Sequence, residues 1–151
     1  MSMTVSAKLQ YLVFSIADQK LAIDLDVVDQ VYSAVEIDPL PEAPNAVLGL
    51  INVHGAIIVA LNLRRKLHLQ ERAVELSDQL LIVNVDERQF ALLIDDVKGV
   101  HQPSHDQIIS SIYTSIQIAD DIVKVLEMKD FLSEDEEEQL TTALQLAYTN
   151  K

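Results

Sequence analysis

The sequence predicts a mainly β fold made of two related lobes, with one helix at the C-terminal end. Short segments rich in β-branched and aromatic residues are separated by brief polar turns, a pattern typical of antiparallel hairpins. Two stretches of the first half recur in the second half in the same order. A long run of apolar residues at helical spacing occurs only after residue 132. Because an isolated hairpin is unstable, strands this short must close into barrels or pack as a sandwich.

The first predicted element is a hairpin with strands at residues 11–16 (YLVFSI) and 20–24 (KLAID). The polar residues 17–19 between them are expected to form the turn. Asp24 then precedes Leu25 and Val28, whose spacing of three residues predicts one helical turn capped by the Asp24 carboxylate. A strand that alternates from Val31 to Ile37 is expected to follow.

The central stretch, residues 48–67 (LGLINVHGAIIVALNLRRKL), is predicted to be a strand, a turn and a strand. A loop at 38–45 precedes it, because this segment holds three of the four prolines, which cannot donate backbone hydrogen bonds. Gly49 and Gly55 are two of only three glycines, so each is expected where a Cβ atom would be forbidden. The turn is placed at His54 and Gly55, a helical turn at 65–69, and the next strand at 80–85.

An internal repeat relates the two halves of the chain. Residues 11–31 align without a gap to residues 80–100, 69 positions later, and residues 51–67 align to 116–132, 65 positions later. Each half would then contain a hairpin with its helical turn, a linker and a second hairpin. A chance match of alternating apolar strings is the alternative, and two matches in the same order argue against it.

The last segment, 133–148, is predicted to be a helix. Ser133 and Glu136 have the spacing of a capping box, and acidic residues dominate the first turn. The apolar residues then repeat at helical spacing, which predicts one stripe packed on a lobe: Leu140, Ala143, Leu144, Ala147 and Tyr148.

Composition excludes several classes of protein. The chain has 151 residues, of which 49% are hydrophobic, enough for one domain or for two small lobes that share a core. A formal net charge of −13 makes binding to nucleic acid or to anionic membranes improbable. No signal peptide or apolar stretch long enough for membrane insertion is present, so a cytoplasmic location is expected. The absence of cysteine excludes disulfides and thiolate chemistry.

No constellation of side chains points to catalysis or to a metal. His101 and His105 are four residues apart, but Pro103 between them argues against the helix that would bring them together. Adjacent carboxylates occur at Asp95 and Asp96, where the pair is expected to cap the following turn, and at positions 120 and 121, where hairpin-turn chemistry is expected. We therefore predict no enzyme activity, no cofactor and no metal.

The segment VLGLINVHGAIIVALNLR, residues 47–64, resembles the signature of the CheW-like coupling domain. Three further segments resemble that family in order, YLVFSIADQKLAID, ALLIDDVKGV and DIVKVLEMKDFL. The resemblance implies two intertwined five-stranded SH3-like β-barrels within residues 8–132. One lobe would comprise about residues 17–82, and the other residues 8–16 with 83–132.

The resemblance also implies a function, that of a non-catalytic adaptor in bacterial chemotaxis. Such an adaptor joins the regulatory domain of a CheA-type histidine kinase to the cytoplasmic tip of a chemoreceptor. Leu25 and Val28 match apolar receptor-contact positions. The full set of candidate partner-binding residues is Leu25, Val28, Gln30, Gly49, Asn52, His54, Gly55 and Arg64.

The sequence departs from the family pattern at four positions. His54 replaces the motif arginine and Gln30 the glutamate that pairs with it, so a charged pair becomes at most a neutral hydrogen bond. Val59 and Asn62 stand where proline and aspartate are usual. These changes leave open a divergent member that serves a parallel motility pathway.

Two further readings belong to other functional classes. One is a small-ligand or metal-sensing β-barrel in which His101, His105 and Asp106 hold a cation. The other is an acid–base enzyme that uses Asp95 or Asp96, for which the sequence offers no partnered base or nucleophile.

Overall fold

The computed structural model describes residues 10–103, 108–110, 115–129 and 131–149. The fold is mainly β, with two sheets and a C-terminal helix, as predicted. The strands are β1 (Tyr11–Ile16), β2 (Gln19–Asp24), β3 (Val28–Ser33), β4 (Val47–Val53), β5 (Ala56–Leu61), β6 (Gln79–Val85), β7 (Arg88–Ile94), β8 (Asp96–His101), β9 (Ile108–Ser110), β10 (Ser115–Ile118) and β11 (Asp121–Val125). The helices are a 3-10 turn (Leu25–Val27), α1 (Leu63–Lys66) and α2 (Glu134–Thr149).

The predicted hairpins form, with the central turn at His54 and Gly55 as predicted and the first turn shorter than predicted. In the first hairpin Ile16 pairs with Gln19, so the turn has two residues and not three. Both turn residues have positive φ, which matches the twist of the flanking strands. The same holds in the hairpins of β4 with β5 and of β6 with β7: the turn residues are Ala17, Asp18, His54, Gly55, Asp86 and Glu87.

The strands form two sheets, which we call sheet one and sheet two. Sheet one has the order β9-β10-β11-β2-β1-β8, and sheet two has the order β3-β6-β7-β5-β4. Most neighbours are antiparallel, but β11 lies parallel to β2 and β5 lies parallel to β7. Sheet one has six strands where five were expected, because the short strand β9 adds to the edge of β10.

The two repeats exchange strands reciprocally. The hairpin β1-β2 of the first half lies in sheet one with β8 to β11 of the second half, and the hairpin β6-β7 lies in sheet two with β3 to β5. The sheets therefore divide the chain differently from the expected lobes, which placed residues 17–24 and 83–94 on the opposite sides. The two-residue turns are the reason, since each turn forces both strands of its hairpin into one sheet.

Three hydrophobic clusters explain the nearly unbroken apolar character of several strands. A central cluster lies between the sheets, and each sheet has a second cluster on its other face. On β1, Leu12 and Phe14 point to the central cluster, whereas Tyr11 and Val13 point to the cluster of sheet one. Both faces of these strands are buried, so apolar residues occupy successive positions.

Helix α2 closes one side of the central cluster. The predicted capping box forms: the Ser133 backbone N–H donates to Glu136 at 2.9 Å, and the Glu136 N–H donates to the Ser133 hydroxyl at 3.2 Å. Leu140 and Ala143 are buried in the central cluster. Tyr148, which the predicted stripe included, is instead 55% exposed. No helix in the described part of the chain is long and apolar enough to span a membrane.

Two other elements differ from prediction. Strand β3 ends at Ser33, so the predicted continuation to Ile37 is connecting chain. Helix α1 begins at Leu63, earlier than predicted, because the side chain of Asn62 accepts the Arg65 N–H at 3.0 Å and caps the helix there. The predicted cap of the first helical turn does form, with the Asp24 carboxylate accepting the Asp26 N–H at 3.0 Å.

Candidate partner-binding surface

The structure divides the predicted partner-binding residues among separate places. Leu25, Val28 and Gln30 lie on the 3-10 turn and on strand β3, which is one edge of sheet two. Four others lie on or beside the β4-β5 hairpin at the opposite edge, namely Gly49, Asn52, His54 and Gly55. Arg64 is on helix α1.

The turn of the β4-β5 hairpin is exposed and locally ordered. His54 and Gly55 have φ values of 51° and 90°. The Asn52 carboxamide accepts the Gly55 N–H at 2.9 Å, which fixes the turn. The His54 ring packs at 5.8 Å, centroid to centroid, against Tyr32 at the end of strand β3. This contact joins the two edges of sheet two.

Gln30 and His54 do not form the hydrogen bond that could replace the family's charged pair. Gln30 is exposed on strand β3, opposite Ile82 and beside a β-bulge. Within the described residues, the His54 side chain packs against the ring of Tyr32 instead of contacting Gln30. A ring contact thus occupies this side of the hairpin.

Gly49 has a structural role. It is buried, and a Cβ atom at this position would lie 2.1 Å from the carbonyl oxygen of Asp38. The loop can approach strand β4 because Gly49 lacks that atom, and Asp38 and Leu50 then exchange two backbone hydrogen bonds of 2.8 Å. Gly49 therefore shapes the edge of sheet two and is not itself an accessible contact.

Arg64 belongs to a polar cluster that we call the clasp, defined by Asp95 and its three hydrogen-bond donors. The Asp95 carboxylate accepts from Arg64 at 2.8 Å, from Arg72 at 3.0 Å and from the backbone N–H of Ala17 at 2.9 Å. Asp95 lies between β7 of sheet two and β8 of sheet one, so the clasp ties the sheets together. The sequence predicted that Asp95 would cap the following turn. That prediction is wrong, because the Asp95 carboxylate oxygens accept hydrogen bonds from residues distant in the chain.

A buried carboxylate extends the clasp. Asp78 receives two hydrogen bonds from Arg72, at 2.7 and 2.9 Å, and one from the Glu75 N–H at 2.8 Å. The hydrogen bonds with Arg72 are the main cause that lowers the pKa of Asp78, and they raise the pKa of Arg72 in turn. The loop between the two repeats is thereby anchored to the junction of the sheets.

Leu25 and Val28 are half-buried at the margin of the central cluster, and their chain neighbours Asp24 and Val27 line an open groove between the sheets. The groove consists of two adjoining cavities of about 510 and 260 Å³. Residues common to both cavities are Val85, Asp86, Met128 and Lys129. This inter-sheet groove lies at the end of the molecule opposite the clasp, because β2 and β7 both span the distance between them, about 20 Å for the length of β2.

Sequence reasoning did not identify most of the residues that line this groove. They come from the β6-β7 turn, from the segment after β11 and from helix α2, which are far apart in the chain. The sequence feature that could have pointed to these groove residues is the internal repeat, which relates the β6-β7 turn to the β1-β2 turn 69 residues earlier.

The structure offers no support for the metal-sensing reading in the part it describes. No group of three or more histidine, aspartate or glutamate side chains among these residues could hold a metal ion. His101 ends strand β8, and its Nε2 atom is buried without a hydrogen-bond partner. The other two proposed ligands, His105 and Asp106, lie outside the described residues.

Comparisons with known proteins identify relatives over most of this fold. The family model of the CheW-like domain matches residues 10–130. The chemotaxis protein CheW of Treponema pallidum is 29% identical over 105 residues, which cover 67% of this chain and 62% of that protein. Its namesake from Thermotoga maritima is 28% identical over 99 residues, covering 66% and 65%. The matched segment thus spans less than two thirds of either relative.

A solved structure shows the same fold. The scaffolding protein TtCheW from Thermoanaerobacter tengcongensis is similar with a TM-score of 0.76, over 85% of this chain and 95% of that chain. The sequences are 20% identical in this comparison, so the likeness concerns the fold.

Proposed function

The chain belongs to the CheW-like domain family, and on that premise we propose that it is a non-catalytic adaptor in chemotaxis-type signalling. It would couple the cytoplasmic tip of a chemoreceptor to the regulatory domain of a CheA-type histidine kinase. The observation that carries this proposal is the inter-sheet groove, an open surface lined by both apolar and polar side chains and bordered by Asp24 and Val27 of the family's receptor-contact segment. An adaptor needs apolar surfaces that stay open in the folded monomer.

The two partners would use different surfaces. The receptor tip would occupy the inter-sheet groove next to Leu25 and Val28. The kinase domain would contact the exposed edges of sheet two, where Gln30 and the turn at His54 and Gly55 lie. Gly49 and Arg64 would support these surfaces from within. Separate surfaces would allow one molecule to hold both partners at once.

Substitution of Val28 tests the receptor contact. Val28→Glu places a charge at a half-buried position that follows the groove-lining residue Val27, where an unpaired charge in an interface is costly. We expect calorimetry with a receptor-tip fragment to show binding weakened about tenfold or more, with kinase binding retained. Val31→Glu is the matched control, since Val31 is on the same strand and is 37% exposed.

Three measurements test the receptor contact and the adaptor function. Equal losses in both variants would mean that charge anywhere on β3 is harmful, and the groove would lose its role. Circular dichroism of Val28→Glu must match the parent protein for the comparison to count. If the parent binds neither partner more tightly than about 100 µM, the adaptor function is wrong.

The Gln30 and His54 positions test the kinase contact. Gln30→Glu combined with His54→Arg restores the charged pair of the family, and we expect it to raise kinase affinity. His54→Arg alone is the control, because Gln30 offers an arginine no charge. An unchanged affinity in the double variant would show that this pair does not limit coupling.

A further inference from the structure

Sheet one carries a cavity of about 360 Å³ on the face that holds its own hydrophobic cluster, and we call it the sheet-one cavity. Its apolar wall is formed by Val13, Ile118 and Val123. Val13 and Val123 belong to the cluster of sheet one, and Ile118 packs against it. The sheet-one cavity shares no lining residue with the two cavities of the inter-sheet groove.

The internal repeat shows why this space is open in sheet one. His101 lines the cavity and corresponds to Tyr32 of sheet two, because their strand partners are also 69 residues apart. In sheet two the Tyr32 ring packs at 5.8 Å against His54. The counterpart of His54, 65 residues later, is Ala119, so this ring contact has no equivalent in sheet one. A Cβ atom on Gly99, which also lines the cavity, would have open space around it.

The repeat also shows a change of charge at the same place. Lys20 and Lys98 line the sheet-one cavity. Their counterparts in sheet two, 69 residues away in each case, are Gln89 and Asp29, and the Gln89 carboxamide donates to the Asp29 carboxylate at 3.1 Å. A hydrogen-bonded amide and acid in sheet two are thus replaced by two cations in sheet one.

These cations are only partly neutralised. Lys98 donates to the Asp96 carboxylate at 3.2 Å. Lys20 is exposed and, in the part of the chain that the structure describes, forms no ion pair. Asp121 is the one carboxylate in the lining, against two lysines. The sheet-one cavity therefore combines an apolar wall with a net positive lining, on a chain whose formal net charge is −13.

We propose that the sheet-one cavity binds a small monocarboxylic acid with an apolar body. The apolar body covers the wall of the cavity, and the carboxylate pairs with Lys20 and Lys98. An amine of the same shape would bring like charge to these lysines. A single net positive charge in the lining suits a monoanion. The inference does not depend on the adaptor function, because the cavity lies apart from the surfaces proposed for both partners.

Octanoate and octylammonium, which share a chain length and differ in charge, are the probes. Binding is followed by the amide NMR signal of Gly99, because the chain has only three glycines and the other two lie in sheet two. We expect octanoate to shift the Gly99 signal with a Kd of about 1 mM or tighter. Octylammonium should act on this signal at least about tenfold more weakly, although the net charge of the protein attracts it.

A matched pair of lysine variants tests the role of the positive lining. Lys20→Gln introduces the side-chain type of its counterpart Gln89, and it should weaken octanoate binding about fivefold. Lys124→Gln is the control. It removes the same charge from sheet one, but Lys124 alternates with Val123 and Val125 on β11 and therefore points to the opposite face. Octanoate should bind this control within about twofold of the parent.

A second variant fills the cavity. His101→Tyr combined with Ala119→His places at these positions the two residue types that form the ring contact of sheet two. Histidine suits position 119, where φ is 53°, close to the 51° of His54. The octanoate response of Gly99 should be lost. If circular dichroism shows that this variant does not fold, the comparison of Lys20→Gln with Lys124→Gln decides the question.

Four results would overturn the proposal. They are a Gly99 signal that does not move at about 10 mM octanoate, octylammonium binding as tight as that of octanoate at Gly99, equal effects of the two lysine variants, and undiminished binding in a folded cavity-filling variant. None of these results bears on the adaptor function, which is tested with the receptor tip and the kinase domain.

Discussion

Removal of the Asp95 carboxylate should loosen the junction between the sheets. Asp95→Ala deletes three hydrogen bonds, from Arg64, Arg72 and the backbone of Ala17. It also leaves the Arg64 guanidinium, whose side chain is only 13% exposed, without its counter-ion. Arg72 keeps Asp78 as a partner, so Arg64 suffers the larger loss.

The size of the effect follows from burial. A hydrogen bond to a charged group contributes about 1.5–3 kcal/mol. The Asp95 side chain is 29% exposed, so solvent screens part of this contribution, and the three bonds are not additive. We expect a loss of about 3 kcal/mol in the free energy of unfolding. For a chain of this size that is a decrease in Tm of about 6–12 °C.

Arg65→Ala is the matched control. It removes the ion pair of Arg65 with Glu71, whose side chains are 45% and 46% exposed, and should cost far less stability than Asp95→Ala because solvent screens the pair. Urea unfolding followed by circular dichroism measures both variants. If Asp95→Ala loses no more stability than Arg65→Ala, the clasp does not hold the sheets together and the reasoning is refuted.

Three other perturbations test the fold and its charges. Gly49→Ala should destabilise by about 3 kcal/mol or more, because the new Cβ atom would meet backbone, whereas Gly55→Ala, with open space around it, should cost about 1–2 kcal/mol by chemical denaturation. The pKa of Asp78 is lowered by Arg72, so its contribution is present above the unfolded pKa and is lost as pH falls through the folded pKa. The Tm of the parent should therefore fall more steeply between about pH 5 and pH 2 than that of Asp78→Asn, and equal slopes would contradict this. Tyr32→Phe should keep the ring contact and leave Tm nearly unchanged, while Tyr32→Ala should lose about 2 kcal/mol; equal effects would show that the ring contact is unimportant.

Local features of the fold could be predicted because local residues determine them. The hairpins depend on short polar turns, of which the first was predicted one residue too long, and the 3-10 turn depends on the Asp24 cap. Helix α2 depends on the capping box of Ser133 and Glu136. In each case the interacting atoms lie within a few residues of one another, so the sequence pattern shows them directly.

The assignment of strands to sheets could not be predicted from the same patterns. Strand β1 is apolar at successive positions because both faces are buried, and such a strand carries no sign of which neighbour it pairs with. The role of Asp95 was missed for a related reason. Its partners Ala17 and Arg64 are 78 and 31 residues away, and nothing in the local sequence distinguishes it from Asp96.

The reciprocal exchange of strands makes the two halves of the chain inseparable. Four described pairings join the first half to the second, namely β1 with β8, β2 with β11, β3 with β6 and β5 with β7, whereas the short strand β9 pairs with β10 within the second half. Truncation therefore cannot isolate one binding surface from the other. If the repeat arose by duplication, a half-length ancestor could complete its sheets only as a dimer. Fusion of two copies would then have replaced an association that depends on protein concentration with one that does not.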